Sequence, residues 1–375
     1  MILLLHNRYR RSGGEERAVA EIAALLARRG HQVEVLERSS EAVGRGKAAF
    51  GLLAGGLDPG AIGAAVRRSR ADVVHAHNLH PTLGWRALAP ARAAGARTIL
   101  HLHNFRLFCA IGISYRDGAP CFRCRGNSTF PGLRLRCRGS LPEAAVYAAG
   151  LHRQQPRLYE HVDQFVTVSE STAAHLRDLG VPASLLATLP NFIPNDAFAS
   201  TSSAGAGEFA LAAGRLEEEK GFDTAIAAAR AAEVPLVIAG SGPDEGRLRA
   251  LAAGADVKFT GWLAPAALAA LRLRAAVVLA PSRWEEPCPY SVLEALAAGV
   301  PVLASDRGGL PELVGEDAVL PADDPAGWAA PLHDLWHDPG SRSERGSAAL
   351  ERARERFGED RFYEGLMRLY GAVCA

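Results

Sequence analysis

The chain has 375 residues, 48% of them apolar, with 42 Lys and Arg against 41 Asp and Glu for a formal net charge of +1. That length exceeds one typical core and suits two domains of ordinary size. A balanced charge gives no large one-signed field to recruit nucleic acid, so any anion must be met by local groups.

The first element is the run Met1-Ile2-Leu3-Leu4-Leu5, followed at once by His6-Asn7-Arg8. It is too short for a signal peptide or a membrane span and is expected to be a buried strand. The Ala- and Leu-rich stretch 266–276 is interrupted by Arg272 and Arg274, and no uncharged run approaches membrane length. The expectation is a cytoplasmic protein that can visit the inner face of a membrane. β-rich runs alternate with helical patterns throughout, the mark of parallel sheets wrapped by helices. The first series places strands near 2–5, 32–36, 73–76, 98–102, 164–168 and 186–189. The second places them near 209–213, 236–239, 257–259, 277–280, 301–304 and 318–320. The small polar stretch 195–208 suits a linker between domains 1–194 and 209–357. In the segment 358–375, Phe362, Leu366, Leu369 and Tyr370 fall on one helical face.

Candidate chemistry sits at the strand ends. Ser12-Gly13-Gly14-Glu15-Glu16 lies between the first strand and first helix, where glycine amides can face an anion or Glu16 can cap the helix. His75 and His77, then His101 and His103 with Asn104, end the third and fourth strands, and alternation puts His101 and His103 on one face. The insertion 105–139 holds Cys109, Cys121, Cys124 and Cys137, with eleven residues, two and twelve between successive cysteines. Four thiolates at such spacing can close a structural zinc site; two disulfides or four free thiols are the competing states. Cys288 and Cys374 lie outside this group.

In the second half, Arg215 and Lys220 flank a strand-to-helix turn, as a solvated pair facing Glu217–Glu219 or as cations for a diphosphate. Gly240-Ser241-Gly242 is either an ordinary turn or a place where a ligand meets backbone amides. Glu286 and Glu294 stand eight positions apart, the first before and the second about one turn inside a short apolar helix starting near Pro289 or Tyr290. Both could complement the helix dipole, or converge on one small volume.

Arg283-Trp284-Glu285 before these glutamates and Ser305-Asp306-Arg307-Gly308-Gly309-Leu310-Pro311-Glu312 after them complete one long motif. Here the chain resembles the family 4 retaining glycosyltransferases (glycosyl transferases group 1) of GT-B fold. The resemblance covers nearly the whole chain and is strongest from Gly214 to Glu312. It implies two Rossmann-like α/β domains facing a cleft, with the C-terminal helix crossing back to the first domain. It also implies transfer of a sugar from a UDP-, GDP- or dTDP-sugar to a hydroxyl acceptor such as a lipid-linked saccharide. Attack comes from the front face, and the leaving phosphate oxygen helps take the acceptor proton. By the same resemblance Arg215 and Lys220 hold the diphosphate, Glu294 the ribose hydroxyls and Glu286 a hydroxyl of the donor sugar. Gly13, Gly14, Gly240, Cys288, Tyr290 and Ser291 complete the donor site, His103 lies close to the reacting sugar, and residues 257–262 lie beside the base. The chain has Cys288-Pro289 where the family has Phe-Gly, so one backbone N–H toward the sugar is missing. No Asp-x-Asp triplet is present, which suggests that cations replace a divalent ion and that catalysis needs no cofactor. Bacterial polysaccharide or glycoconjugate synthesis is the expected setting, fitting an Ala-, Arg- and Gly-rich composition. Glycosylation of small metabolites, an epimerase or phosphorylase of the same fold, and a non-catalytic sugar-nucleotide binder are the alternatives.

Overall fold

The computed structural model describes residues 1–9 and 13–374, with side chains through 371. Ser12 and the Cys374 side chain therefore lie outside the described residues. In chain order the strands are β1 Ile2–Arg8, β2 Val33–Ser39, β3 Val73–Ala76, β4 Arg97–Leu102, β5 Tyr115–Arg116, β6 Ala119–Pro120, β7 Gln164–Thr167 and β8 Leu186–Thr188. They continue as β9 Phe209–Ala213, β10 Leu236–Ala239, β11 Val257–Gly261, β12 Ala275–Ala280, β13 Val302–Ser305 and β14 Val319–Leu320. The chain divides into two compact units, one of 1–114, 121–190 and the end of the chain from Tyr363, the other of Tyr115–Pro120 and Asn191–Phe362.

The first unit's sheet runs β2-β1-β3-β4-β7-β8, all parallel. Helices cover both faces, so its central strands are continuous apolar runs; Leu3, Leu4 and Leu5 are all fully buried. The second unit's sheet runs β11-β10-β9-β12-β13-β14, also parallel, the order of dinucleotide-binding sheets. Its core gathers Phe222, Ile226, Leu248, Trp328 and Leu332 around β9, β10 and β12. Each sheet reverses its order beside its first strand, at β1/β3 and at β9/β12. Open α/β sheets bind ligands outside the carboxyl ends of strands at such points.

The segment 195–208 is not the free linker its composition suggests. The chain passes between units at 190/191, and 195–208 belongs to the second. There the buried Arg342 donates to the Ala204 carbonyl at 3.0 Å and the Gly205 carbonyl at 2.8 Å. A Cβ at Gly207 would come within 2.3 Å of the Ala276 backbone, so glycine serves close packing at this point and not flexibility. The last helix, Glu359–Cys374, is held to the first unit by Tyr363, whose hydroxyl meets His31 Nε2 at 2.8 Å, and by Tyr370, whose hydroxyl meets His75 Nδ1 at 2.9 Å.

Candidate functional site

In the second unit, Lys220 ends the turn after β9, and Gly221 opens the helix Phe222–Ala231 with φ +68°. A side chain there would collide with the Pro281 carbonyl, so the turn lies directly against the end of β12. That approach brings the Lys220 ammonium onto the Glu286 carboxylate as an ion pair. Ser282 donates to the same carboxylate oxygen at 2.7 Å, and Ser305 donates to the Ser282 carbonyl at 2.6 Å. Lys220 also lies 5.3 Å from the centre of the Trp284 ring. Glu286 is buried, and its backbone is locked from the other side: Gly309 N–H donates to its carbonyl at 2.7 Å, and Gly308 at φ +58° leaves no room for a Cβ. Lys220, Ser282, Glu286, Pro289 and Ser291 share one pocket. A buried carboxylate with one cation and one hydroxyl is an acceptor of fixed direction, suited to a sugar hydroxyl, beside a cation suited to a phosphate.

The helix containing Glu294 begins at Tyr290 and ends at Ala297, with Pro289 as its N-cap. Glu294 is ion-paired at 2.5 Å to Arg272, whose side chain is buried. In the sequence Arg272 is only an interruption of an apolar stretch; its partner lies 22 residues away, and no local signal marks the pairing. Tyr290 is buried, and burial pushes the Cys288 thiol up to about 12 while its carbonyl accepts from Asn191 at 3.0 Å. Arg215 is more than half exposed and paired with Glu217 at 2.7 Å. Gly240, at φ +147°, lies against Gly214: a Cβ would meet the Gly214 carbonyl at 1.8 Å, so packing of one turn on another already requires this glycine.

In the first unit the helix Gly14–Arg28 starts with Gly13 as N-cap. Glu16 reaches back to accept from the Gly13 N–H at 2.8 Å, and its other oxygen accepts from Tyr9 N–H at 2.8 Å. The Gly13 amide expected to face an anion is thus spent on the cap, whereas Gly14 is exposed. Glu15, unremarked in the sequence, is buried, accepts from the Tyr9 hydroxyl at 2.9 Å and from Asn104 Nδ2 at 3.1 Å, and is pushed up to about 7, chiefly by desolvation. Arg106 stacks over the Tyr9 ring at 4.8 Å.

The histidines of β3 and β4 form a two-by-two array. His75 Nε2 meets His101 Nδ1 at 3.3 Å, and His77 Nδ1 meets His103 Nε2 at 3.0 Å. Along each strand the rings stack, His75 on His77 at 4.6 Å and His101 on His103 at 4.5 Å. Desolvation and neighbouring histidines hold all four below the ordinary imidazole range, so the array is neutral. Nitrogens of His75, His77 and His101 lie within 4.8 Å of one another. Yet the rings are within 24° of parallel. Their in-plane lone pairs run side by side instead of converging as tetrahedral ligands do.

Cys109, Cys121, Cys124 and Cys137 are half-buried and not joined in disulfides. Cys124 and Cys137 both adjoin Gly132, whose carbonyl accepts from Cys137 N–H at 3.0 Å and whose Cβ position is 3.8 Å from Cys124 Sγ. Burial pushes the Cys124 thiol up to about 11, and the other three thiols add to that rise. Only Cys124 and Cys137 are seen to share a neighbour, and among the described residues His75, His77 and His101 are the one group that brings three ligand atoms within 4.8 Å of one another.

A family model described as Glycosyltransferase Family 4 matches residues 12–197, and one described as Glycosyl transferases group 1 matches 195–352. The chain is 29% identical over 421 residues to a D-inositol 3-phosphate glycosyltransferase of Acidothermus cellulolyticus, covering 97% of this chain and 86% of that protein. It is 30% identical over 118 residues to spore coat protein SA of Bacillus subtilis, covering 30% of this chain and 31% of that protein. The chain spans about a third of the length of the first curated relatives it matches. In fold it is similar to HepE of Anabaena, solved in complex with UDP, at a TM-score of 0.66 and 17% identity over 99% of both chains. With its two parallel-sheet units of GT-B type and two adjoining family matches that together run from residue 12 to residue 352, the chain belongs to glycosyltransferase family 4, glycosyl transferases group 1.

Proposed function

We propose that this chain is a retaining glycosyltransferase that moves a sugar from a nucleoside-diphosphate donor to a hydroxyl acceptor, in bacterial polysaccharide or glycoconjugate synthesis. The observation that carries the reading is the Lys220–Glu286–Ser282 cluster in a pocket at the β9/β12 switch point. As the bond between sugar and phosphate breaks, charge builds on the leaving diphosphate, and a fixed ammonium in a site shielded from water stabilises it. Lys220 supplies that charge, and Arg215, itself exposed, joins it by leaving its half-buried partner Glu217. Glu286 orients the donor sugar through a hydroxyl, and Glu294, itself held by Arg272, receives the ribose. Gly14, Gly240, Tyr290 and Ser291 shape the donor site, and His103 meets the reacting sugar. The UDP bound in the similar HepE structure favours a uridine donor.

Cationic side chains in the diphosphate's place support turnover without Mg²⁺ or Mn²⁺. We further propose that Cys109, Cys121, Cys124 and Cys137 hold a structural zinc that orders the insertion. The deciding experiment incubates the full chain with a panel of UDP-, GDP- and dTDP-sugars and acceptors, with and without added divalent ions. Release of nucleoside diphosphate with one donor, equal in both conditions, is the expected result. Binding of a sugar nucleotide without turnover would favour the non-catalytic reading, and neither binding nor release from any donor would overturn both.

A further inference from the structure

The histidine array contains two hydrogen-bonded pairs of different character. In the first, the His75–His101 pair continues to the Tyr370 hydroxyl, so the outer nitrogen of His75 has a partner. In the second, His77 is 1% exposed and its Nε2 has no hydrogen-bond partner among the described residues, while His77 and His103 both border the pocket with Asn104, Glu15 and Tyr9.

Ring centres of His77 and His103 are 5.3 Å apart at 19°, with nitrogens 3.0 Å apart, the geometry of two imidazoles joined edge to edge in nearly one plane. One proton lies between them. If His103 Nε2 carried it, neutral His77 would carry its own proton on Nε2, leaving a buried N–H with no acceptor. If His77 Nδ1 carries it, the orphaned Nε2 is only a lone pair. Buried N–H groups without acceptors are the rarer defect.

We infer that His77 is a positioning residue that donates from Nδ1 to His103 Nε2 and so fixes His103 as the Nδ1–H tautomer. His103 then meets a ligand oxygen as a hydrogen-bond donor and does not act as a base, because its only lone pair is already taken. The inference rests on the reading that His103 faces the donor sugar. It identifies what His103 recognises: a sugar or phosphate oxygen acting as acceptor. The bond made by the second ring nitrogen sets which tautomer an imidazole presents.

Long-range ¹H–¹⁵N correlation NMR of the full chain labelled in histidine reads the tautomer directly. A protonated Nδ1 and unprotonated Nε2 in His103 is expected; a protonated Nε2 would overturn the inference. His77→Phe keeps an aromatic ring and removes the donor, so His103 should lose its fixed tautomer and kcat should fall about tenfold or more, with donor KM changed less than about threefold. His77→Asn places an amide N–H where Nδ1–H was and should recover most of kcat. Unchanged kcat in His77→Phe would also count against the inference. Should His77→Phe fail to fold, the wild-type spectrum still decides. Should no donor support turnover, the transferase reading fails while the tautomer measurement stands on its own.

Discussion

The two units solve one architectural problem with opposite electrostatics. Both place six parallel strands between helices and both open a site where strand order reverses. At the β9/β12 ends stand full charges, Lys220 on Glu286 and Arg272 on Glu294. At the β3/β4 ends stand neutral imidazoles, beside a Glu15 whose carboxyl is raised toward neutrality. The first unit's one cation at this pocket, Arg106, is stacked over the Tyr9 ring, so the groups left facing the pocket there are mainly neutral hydrogen-bonding ones.

Lys220→Ala tests the charged side most severely. It removes the cation and leaves Glu286 buried with Ser282 alone, so nucleoside diphosphate release should fall about 100-fold or more. Melting temperature should drop as well, since an unpaired buried carboxylate costs about 3–5 kcal/mol. An active, equally stable variant would break the contrast between the units.

The neutral side is tested by pH. Folded His75 and His80 are lowered to about 3 and about 4, chiefly by desolvation, so below the unfolded value near 6.5 the unfolded state binds more protons. Stability should therefore fall as pH drops through 6.5. Glu15, raised to about 7 from 4.5, acts in the opposite sense: between those values the folded state holds the extra proton, and stability falls as pH rises. Glu15→Gln removes the opposing contribution and should steepen the loss of melting temperature between pH 7 and pH 5. An unaltered slope would mean that Glu15 is ionised in the folded protein.

Zinc bears on the insertion. Purified protein should carry about one zinc per chain, and stripping it with a chelator should lower the melting temperature and expose four titratable thiols. Zinc near zero with all four thiols reactive would remove the site, and absence of reactive thiols would indicate disulfides.

The smallest expected effect is at Trp262, 72% exposed just beyond β11. If the base stacks there, Trp262→Ala should raise donor KM about threefold to tenfold with kcat unchanged.

Strand positions were legible because both sheets are buried on two faces: the Leu run of β1 and the uninterrupted apolar run of β12 stand out against their flanking sequence. The hairpin β5–β6 was not, since a two-residue strand has no periodicity. The glycines misled in a consistent way. Gly13, Gly205 and Gly207 looked like free backbone, but one amide is spent on Glu16, the Gly205 carbonyl is held by Arg342, and Gly207 sits against Ala276. The resemblance strongest from Gly214 to Glu312 identified the family, and the helix expected near Pro289 or Tyr290 starts at Tyr290. Ser282 and Arg272, which hold the two glutamates, carried no recognisable signal.

Sequence by itself determined the alternation of strand and helix and the presence of two parallel-sheet units. These follow from burial patterns and turn chemistry that act over a few neighbouring positions. Tertiary structure alone decided partnership: that Lys220 lies on Glu286, that Arg272 holds Glu294, that four histidines form one neutral array tied to Tyr370. Those contacts join residues 22 to 295 positions apart, and only the completed sheets set their distance and direction.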